Sequence, residues 1–279
     1  MGRGRTQRVL VQRIEDERRP RREPDELIVE EPLEIRLDGN LVTTTMRTPG
    51  DDFELAVGFC LTDGLLAGAP VLQCRYCADN RTGADAEFNV VTVETGGRAP
   101  VPQPRLTSTT SSCGLCGSLS IADLRARVRP LTDAAPIPVD VLASIPERVS
   151  AAQKLFATTG GVHAAAAFDR TGEPVLVRED IGRHNAVDKI VGRLLLDGAL
   201  PASDLGLWVS GRASFELVQK AWAAGFPALV AVSAPSSLAV EAAVAAGMTL
   251  VGFARPGRLN VYAERQCRAP NENAANDDS

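Results

Sequence analysis

Apolar and polar residues alternate between Leu27 and Met46 on either side of Asp38-Gly39-Asn40. A period of two broken by such a turn predicts a β-hairpin with strands over 33–37 and 41–45. Thr48-Pro49-Gly50-Asp51-Asp52 then supplies a turn and an N-cap for a helix reaching residue 61. The apolar run 88–94 predicts a strand, and residues 96–110, rich in Gly, Pro, Ser and Thr, predict a mobile loop. Helical periodicity returns over 140–156, where Pro146 is expected to split the helix.

Beyond residue 160 the period switches repeatedly. Strands expected over 162–168 and 175–177 precede a helix over 185–196, whose Ala186, Val187, Ile190, Val191, Leu194 and Leu195 share one side. Strands over 205–209, 228–232 and 249–253 then alternate with helices over 214–224 and 236–246. Strands separated by helices of this length predict right-handed βαβ units, hence an α/β fold with a mostly parallel sheet. A smaller β-rich portion over 25–130 precedes this α/β portion over 131–265. Residues 1–23 hold eight arginines against four acids with little apolar periodicity, so 1–24 is expected to be an unstructured arm. The Asn- and Asp-rich stretch 266–279 is expected to be an unstructured tail.

Composition narrows the function classes. The 279 residues are 44% hydrophobic and 23% charged, enough for a real core. A net charge of −5 and only 4% aromatic residues argue against nucleic-acid and membrane-surface binding. No stretch approaches a transmembrane helix, and no apolar core follows the N-terminal arginines, so a cytoplasmic location is expected. Six cysteines are too sparse for a disulfide framework and are read as reduced thiols.

The densest candidate chemistry is Ser111-Ser112-Cys113-Gly114-Leu115-Cys116-Gly117, a Cys-x-x-Cys pair flanked by glycines that leave the sulfurs sterically open. Metal, redox and sulfur-transfer chemistry all suit it. Cys74-Arg75-Tyr76-Cys77 is a second pair, and the four thiols could hold a zinc ion, although 35 residues separate the pairs. A zinc deaminase is excluded, because neither histidine is followed two residues on by Glu and both lie after the Cys113 pair. Cys60 reads as a small apolar residue within its helix and Cys267 as part of the tail.

Three consecutive strands end in turns suited to phosphate, namely Ser210-Gly211-Arg212-Ala213-Ser214, Ser233-Ala234-Pro235-Ser236-Ser237 and Ala254-Arg255-Pro256-Gly257-Arg258. In an open α/β sheet ligands bind beyond the carboxyl ends of the strands. Helix N-termini and the forked donors of Arg212, Arg255 and Arg258 would favour a nucleotide-like polyanion there. Glu179-Asp180-Ile181-Gly182-Arg183-His184-Asn185 is a further polar cluster, in which Asp180 or Asn185 could cap the helix and His184 could orient a ligand or carry a proton. His163 begins an apolar strand and reads as a core histidine.

Taken with Thr159-Gly160-Gly161-Val162-His163-Ala164-Ala165-Ala166, Asn185-Ala186-Val187-Asp188-Lys189 and Leu250-Val251-Gly252-Phe253, these segments closely resemble the formate dehydrogenase accessory sulfurtransferase family, FdhD. The likeness spans roughly 27–262; Cys74 and Cys77 are outside its pattern, and Gly161 stands where some members carry another cysteine. The resemblance implies a three-layer, cytidine-deaminase-like sandwich without zinc ligands, and a homodimer. It implies a sulfur carrier that takes sulfur from a cysteine desulfurase as a persulfide on Cys113, with Cys116 as partner thiol. The sulfur would pass to the molybdenum of a bis(molybdopterin guanine dinucleotide) cofactor before insertion into the formate dehydrogenase catalytic subunit. Phe253, Ala254, Arg255, Pro256, Gly257 and Arg258 match the family's cofactor-binding segment, and Arg212 and His184 are candidates beside it. Two other functions fit the thiols alone: a thiol-disulfide oxidoreductase, and a non-catalytic cofactor chaperone with a zinc-clamped cysteine cluster.

Overall fold

The computed structural model describes residues 4–14, 20–77, 88–102, 121–131 and 135–265. β1 (Thr6–Arg13) and β2 (Arg21–Ile28) form a two-stranded antiparallel ribbon. The arm expected to be unstructured over 1–24 is therefore paired across its described residues. Cross-strand charges support it, with Arg8 opposite Glu26 and the Arg13 guanidinium 2.8 Å from the Glu23 carboxylate. Val9, Leu10 and Val11 are consecutive rather than alternating, so no period of two announced these strands.

β3 (Glu31–Leu37) and β4 (Asn40–Arg47) make the expected hairpin, turning through Asp38 and Gly39 at positive φ. After α1 (Asp52–Thr62) come β5 (Gln73–Tyr76) and β6 (Val90–Glu94), and the strand order is β4-β3-β6-β5. Leu33, Ile35 and Leu37 alternate inward and pack with Leu55, Val57 and Cys60 of α1. Asp51 takes the N-cap position of α1 without capping it; its carboxylate instead accepts a 2.7 Å bond from Arg5 of the ribbon.

α2 (Ile121–Arg127), α3 (Val139–Ser150) and α4 (Lys154–Thr159) follow. α3 runs through Pro146, and the expected break falls after Ser150 instead. The second sheet contains β7 (His163–Phe168), β8 (Pro174–Asp180), β9 (Gly206–Val209), β10 (Ala228–Ala231), β11 (Thr249–Arg255) and β12 (Arg258–Ala263). Its helices are α5 (Arg183–Leu196), α6 (Phe215–Ala224) and α7 (Ser237–Ala246).

The strand order is β12-β11-β10-β9-β7-β8, and only β9, β10 and β11 run parallel. The sheet is mixed, a correction to the expected mostly parallel one. Two hairpins cause it. No helix separates β7 from β8, which are joined by a tight turn where Asp169 Oδ1 accepts the Thr171 and Glu173 amides at 2.8 and 3.0 Å. β11 returns directly into β12 through Pro256-Gly257, with Gly257 at φ +70° as the second turn residue requires.

Residues of β7 alternate between two cores. Ala165 and Ala167 face α5, α6 and α7, while Ala164, Ala166 and Phe168 face Leu142, Ile145 and Val149 of α3. Helix α5 in turn crosses α1, which joins the two sheets. A Cβ at Gly58 would fall on the Asp188 carbonyl, and one at Gly192 on the Glu54 carbonyl, so only glycine lets these backbones approach so closely.

Candidate functional site

The crevice lies where β9 and β10 end, and its loops are laced together. Ser233 N donates to Gly211 O at 3.2 Å, Ala213 N to Ala234 O at 3.2 Å and Ser236 N to Ala213 O at 3.0 Å. Several amides expected to face a polyanion are thus already used within the protein. The two helix entries differ. Ser236 Oγ accepts the Ala239 amide at 3.2 Å and caps α7, whereas Ser214 Oγ, at the start of α6, is buried with no partner among the described residues.

The third expected phosphate turn, 254–258, enters no helix and so has no helix dipole; it is the hairpin between β11 and β12. Just before it, Phe253 adopts φ +52°, a left-handed conformation that is costly for a bulky residue, and stands 41% exposed. Arg255 Nη1 donates to Val232 O at 2.5 Å and to Ala254 O at 2.9 Å. Ala254, Arg255 and Pro256 line a cavity of about 940 Å³ between α3 and the sheet. Phe253, Gly257 and Arg258 are exposed and do not line it, and neither do the exposed Arg212 nor His184.

His163, expected in the core, lines this cavity together with Ser210 and Trp208. A parallel sheet would have put the start of a strand opposite the crevice. β7 runs antiparallel to β9, so its first residue meets the end of β9. Ser210 Oγ accepts the Ala164 amide at 2.9 Å and lies 3.2 Å from His163 Nδ1. Burial, then the positive charges of Arg183 and His184, hold the His163 pKa below its ordinary value, so the ring is neutral near pH 7. The Trp208 side chain is 3% exposed in residue terms, and its indole N–H is buried with no partner among the described residues.

The cluster 179–189 is mainly structural. Asp180 lies 2.7 Å from Lys189 Nζ and accepts from the Thr48 and Gly182 amides and from Asn185 Nδ2 at 3.1, 2.8 and 2.9 Å. Lys189 also donates to Thr48 O, so this buried pair anchors the β4–α1 link to α5. Glu179 accepts the Leu155 and Phe156 amides, both at 2.8 Å, at the start of α4. Asp188 pairs with Lys220 at 2.9 Å and accepts from Thr62 at 2.8 Å. His184 Nε2 lies 2.6 Å from Glu216 Oε2 on α6. Burial raises the Glu216 pKa, but the hydrogen bond and charge of His184 outweigh it and hold the carboxyl below its ordinary range.

Against known proteins, a model described as the FdhD/NarQ family matches residues 28–268. The chain belongs to the FdhD/NarQ family. It is 53% identical over 265 residues to the sulfur carrier protein FdhD of Streptomyces avermitilis, covering 92% of this chain and 94% of that one. The Mycobacterium tuberculosis protein of the same name is 50% identical over 249 residues, covering 86% and 90%. Among solved structures, a formate dehydrogenase accessory protein from Desulfotalea psychrophila shares the fold with TM-score 0.75 at 23% identity, covering 93% of this chain and 98% of that one.

The FdhD/NarQ match takes in Cys113 and Cys116, which lie outside the described residues, as does Cys267. The described cysteines make no chelating pair. Cys74 and Cys77 are three apart along an extended segment, where successive side chains alternate faces. Cys74 packs against the core under α1, and burial, then Glu94, pushes its thiol up to about 11. Cys77 lies 3.5 Å from Arg75 Nη1, and Cys60 is buried, its thiol pushed up chiefly by burial. No helix among the described residues is long and apolar enough to cross a membrane.

Proposed function

We propose that this FdhD/NarQ chain is a sulfur carrier in formate dehydrogenase maturation, with Cys113 as the sulfur-bearing thiol. The Cys113 thiolate attacks the outer sulfur of a cysteine desulfurase persulfide. The S–S bond of the desulfurase breaks, its cysteine leaves as a thiolate, and a persulfide forms on Cys113. Cys116 is the partner thiol. Its attack on Cys113 Sγ would form a Cys113–Cys116 disulfide and release the outer sulfur as sulfide for the molybdenum. The acceptor is the bis(molybdopterin guanine dinucleotide) cofactor, held as cargo at the crevice beyond β9, β10 and β11 before it passes to the formate dehydrogenase catalytic subunit.

The observation that carries this reading is the conjunction of the family's Cys-x-x-Cys segment with a crevice that leaves a buried donor unpaired. Trp208, whose buried indole N–H has no acceptor among the described residues, lines a cavity large enough for a nucleotide-sized group. Ala254, Arg255 and Pro256 lie on the same wall. Cys113→Ala is expected to abolish maturation of formate dehydrogenase while the protein still binds GDP. Full maturation supported by that variant would sink the assignment. The carrier is also proposed to act as a cytoplasmic homodimer; sedimentation of the purified chain as a monomer alone would remove that part.

A further inference from the structure

The ribbon of β1 and β2 stands apart from both larger sheets. Beyond its own pairing it packs mainly against α4 through β2, and Arg5 ties its base to Asp51. A lone two-stranded hairpin is marginally stable in water. Its two edges differ. Val29 N donates to Arg5 O at 2.9 Å, so in the bulge-free register Gln7, Val9, Val11 and Arg13 bond inward to β2. Thr6, Arg8, Leu10 and Gln12 therefore turn their N–H and C=O groups to the outer edge of β1. The same geometry places Arg22, Pro24, Glu26 and Ile28 on the outer edge of β2. Pro24 has no N–H to offer there, and Glu23, Asp25 and Glu26 crowd that strand with charge, both of them devices that protect an edge. β1 has no proline and centres on Val9-Leu10-Val11, with Leu10 75% exposed.

We infer that β1 is the edge through which two copies of this chain pair, antiparallel about a two-fold axis at Leu10, so that the two ribbons join into one four-stranded sheet. This names the contact surface of the homodimer proposed above and rests on that reading. The strand's own sequence selects the register. With Leu10 opposite the second copy's Leu10, Val9 meets Val11, Arg8 meets Gln12 and Gln7 meets Arg13. Val9, Leu10 and Val11 then meet only one another, and no arginine faces another. Arg8, Leu10 and Gln12, all turned outward, exchange main-chain hydrogen bonds in this register and no other residue has to turn. Sliding by two residues puts Val9 against Arg13 in one direction, and Arg5 against Arg13 in the other. Pro24 lies across from Leu10 within each ribbon, so one face of the joined sheet carries a continuous apolar band from Pro24 through both leucines to the second Pro24. The contact is self-complementary and closes on itself, leaving no β1 edge for a third chain.

Sedimentation of the full chain over a concentration series tests this. Wild type is expected to dimerise. Leu10→Lys sets like charges opposite each other on the axis and is expected to weaken dimerisation at least about tenfold. Leu10 meets solvent in the single chain, so the circular dichroism of this variant is expected to match wild type. Leu10→Cys provides an independent readout, because it brings two thiols to facing positions with Cα atoms about 5.5 Å apart, within disulfide reach. Oxidation with diamide is expected to yield a disulfide joining two copies of the peptide that carries the substitution. Gln7→Cys, which faces Arg13 of the second copy, is expected to yield far less. A folded Leu10→Lys chain that dimerises as wild type does overturns the inference and leaves the homodimer standing. A Leu10→Cys chain that is dimeric yet gives no such crosslink does the same. Wild type that stays monomeric at every concentration overturns both the inference and the homodimer beneath it.

Discussion

Helix α5 borders two regions built from the same residue types to opposite ends. Along the seam with α1, the buried polar groups Asp180, Lys189, Asn185, Asp188, Lys220 and Thr62 all have partners. At the crevice, Trp208 Nε1 and Ser214 Oγ are buried without one among the described residues, and Phe253 holds a left-handed backbone. A fully paired buried network fixes the fold, because removing any member strands another. Groups left unpaired cost stability and are tolerated where a ligand completes them. The difference separates a polar network that holds two sheets together from a crevice whose buried polar groups are left unpaired among the described residues.

The strongest way to break this comparison is at the helix crossing. Gly192→Ala would put a methyl group onto the Glu54 carbonyl, where the neighbour is backbone and cannot swing away. A loss of about 4 kcal/mol in urea unfolding is expected, a large share of a typical domain's stability of about 5–15 kcal/mol. A loss below about 1 kcal/mol would show that the seam is pliable and that its close approach does not matter.

A finer cut compares two serines in equivalent positions. Ser236→Ala deletes a cap that is in use and should cost about 1 kcal/mol. Ser214→Ala deletes a buried hydroxyl with no partner among the described residues and should be neutral or stabilising within about 0.5 kcal/mol. If the two substitutions cost the same, Ser214 is a structural cap and the contrast between the regions fails there. Thermal unfolding of both variants beside the wild type decides it.

The smallest expected effect is in pH dependence. The folded Glu216 carboxyl titrates below its ordinary value of 4.5, because His184 and the nearby cations outweigh burial. The unfolded chain therefore takes up this proton first as the solution is acidified. The stabilisation is full above pH 4.5 and is lost as pH falls through the folded value. His184→Ala should flatten that acid slope in denaturation curves; an unchanged slope would remove the His184–Glu216 pair from the account.

Most C-terminal elements were legible because each is short, periodic and bounded by its own turn residues. Residues 185–196, 214–224 and 236–246 declared helices that appear as α5, α6 and α7 within two residues of expectation. What could not be read was pairing. Val162–Phe168 reads as a strand either way, but its direction is decided by its pairing with β9, far along the chain. That direction moves His163 from the core to the cavity wall. The polar cluster at 179–189 was likewise visible as a cluster, yet only its contact with Thr48 shows that it serves the seam. The ribbon of β1 and β2 escaped because arginines on both strands mask it until their partners are placed. Cys113 and Cys116 drew notice through their flanking glycines, a local signal that needs no pairing to be seen.

The central claim is that sulfur travels on Cys113. Incubating the full chain with a cysteine desulfurase and cysteine, then measuring the Cys113 peptide by mass spectrometry without reductant, tests it directly. The account predicts that this peptide gains the mass of one sulfur atom, that reductant removes it, and that Cys113→Ala abolishes it. A Cys113 peptide that stays unmodified while the desulfurase itself is loaded with persulfide would contradict it.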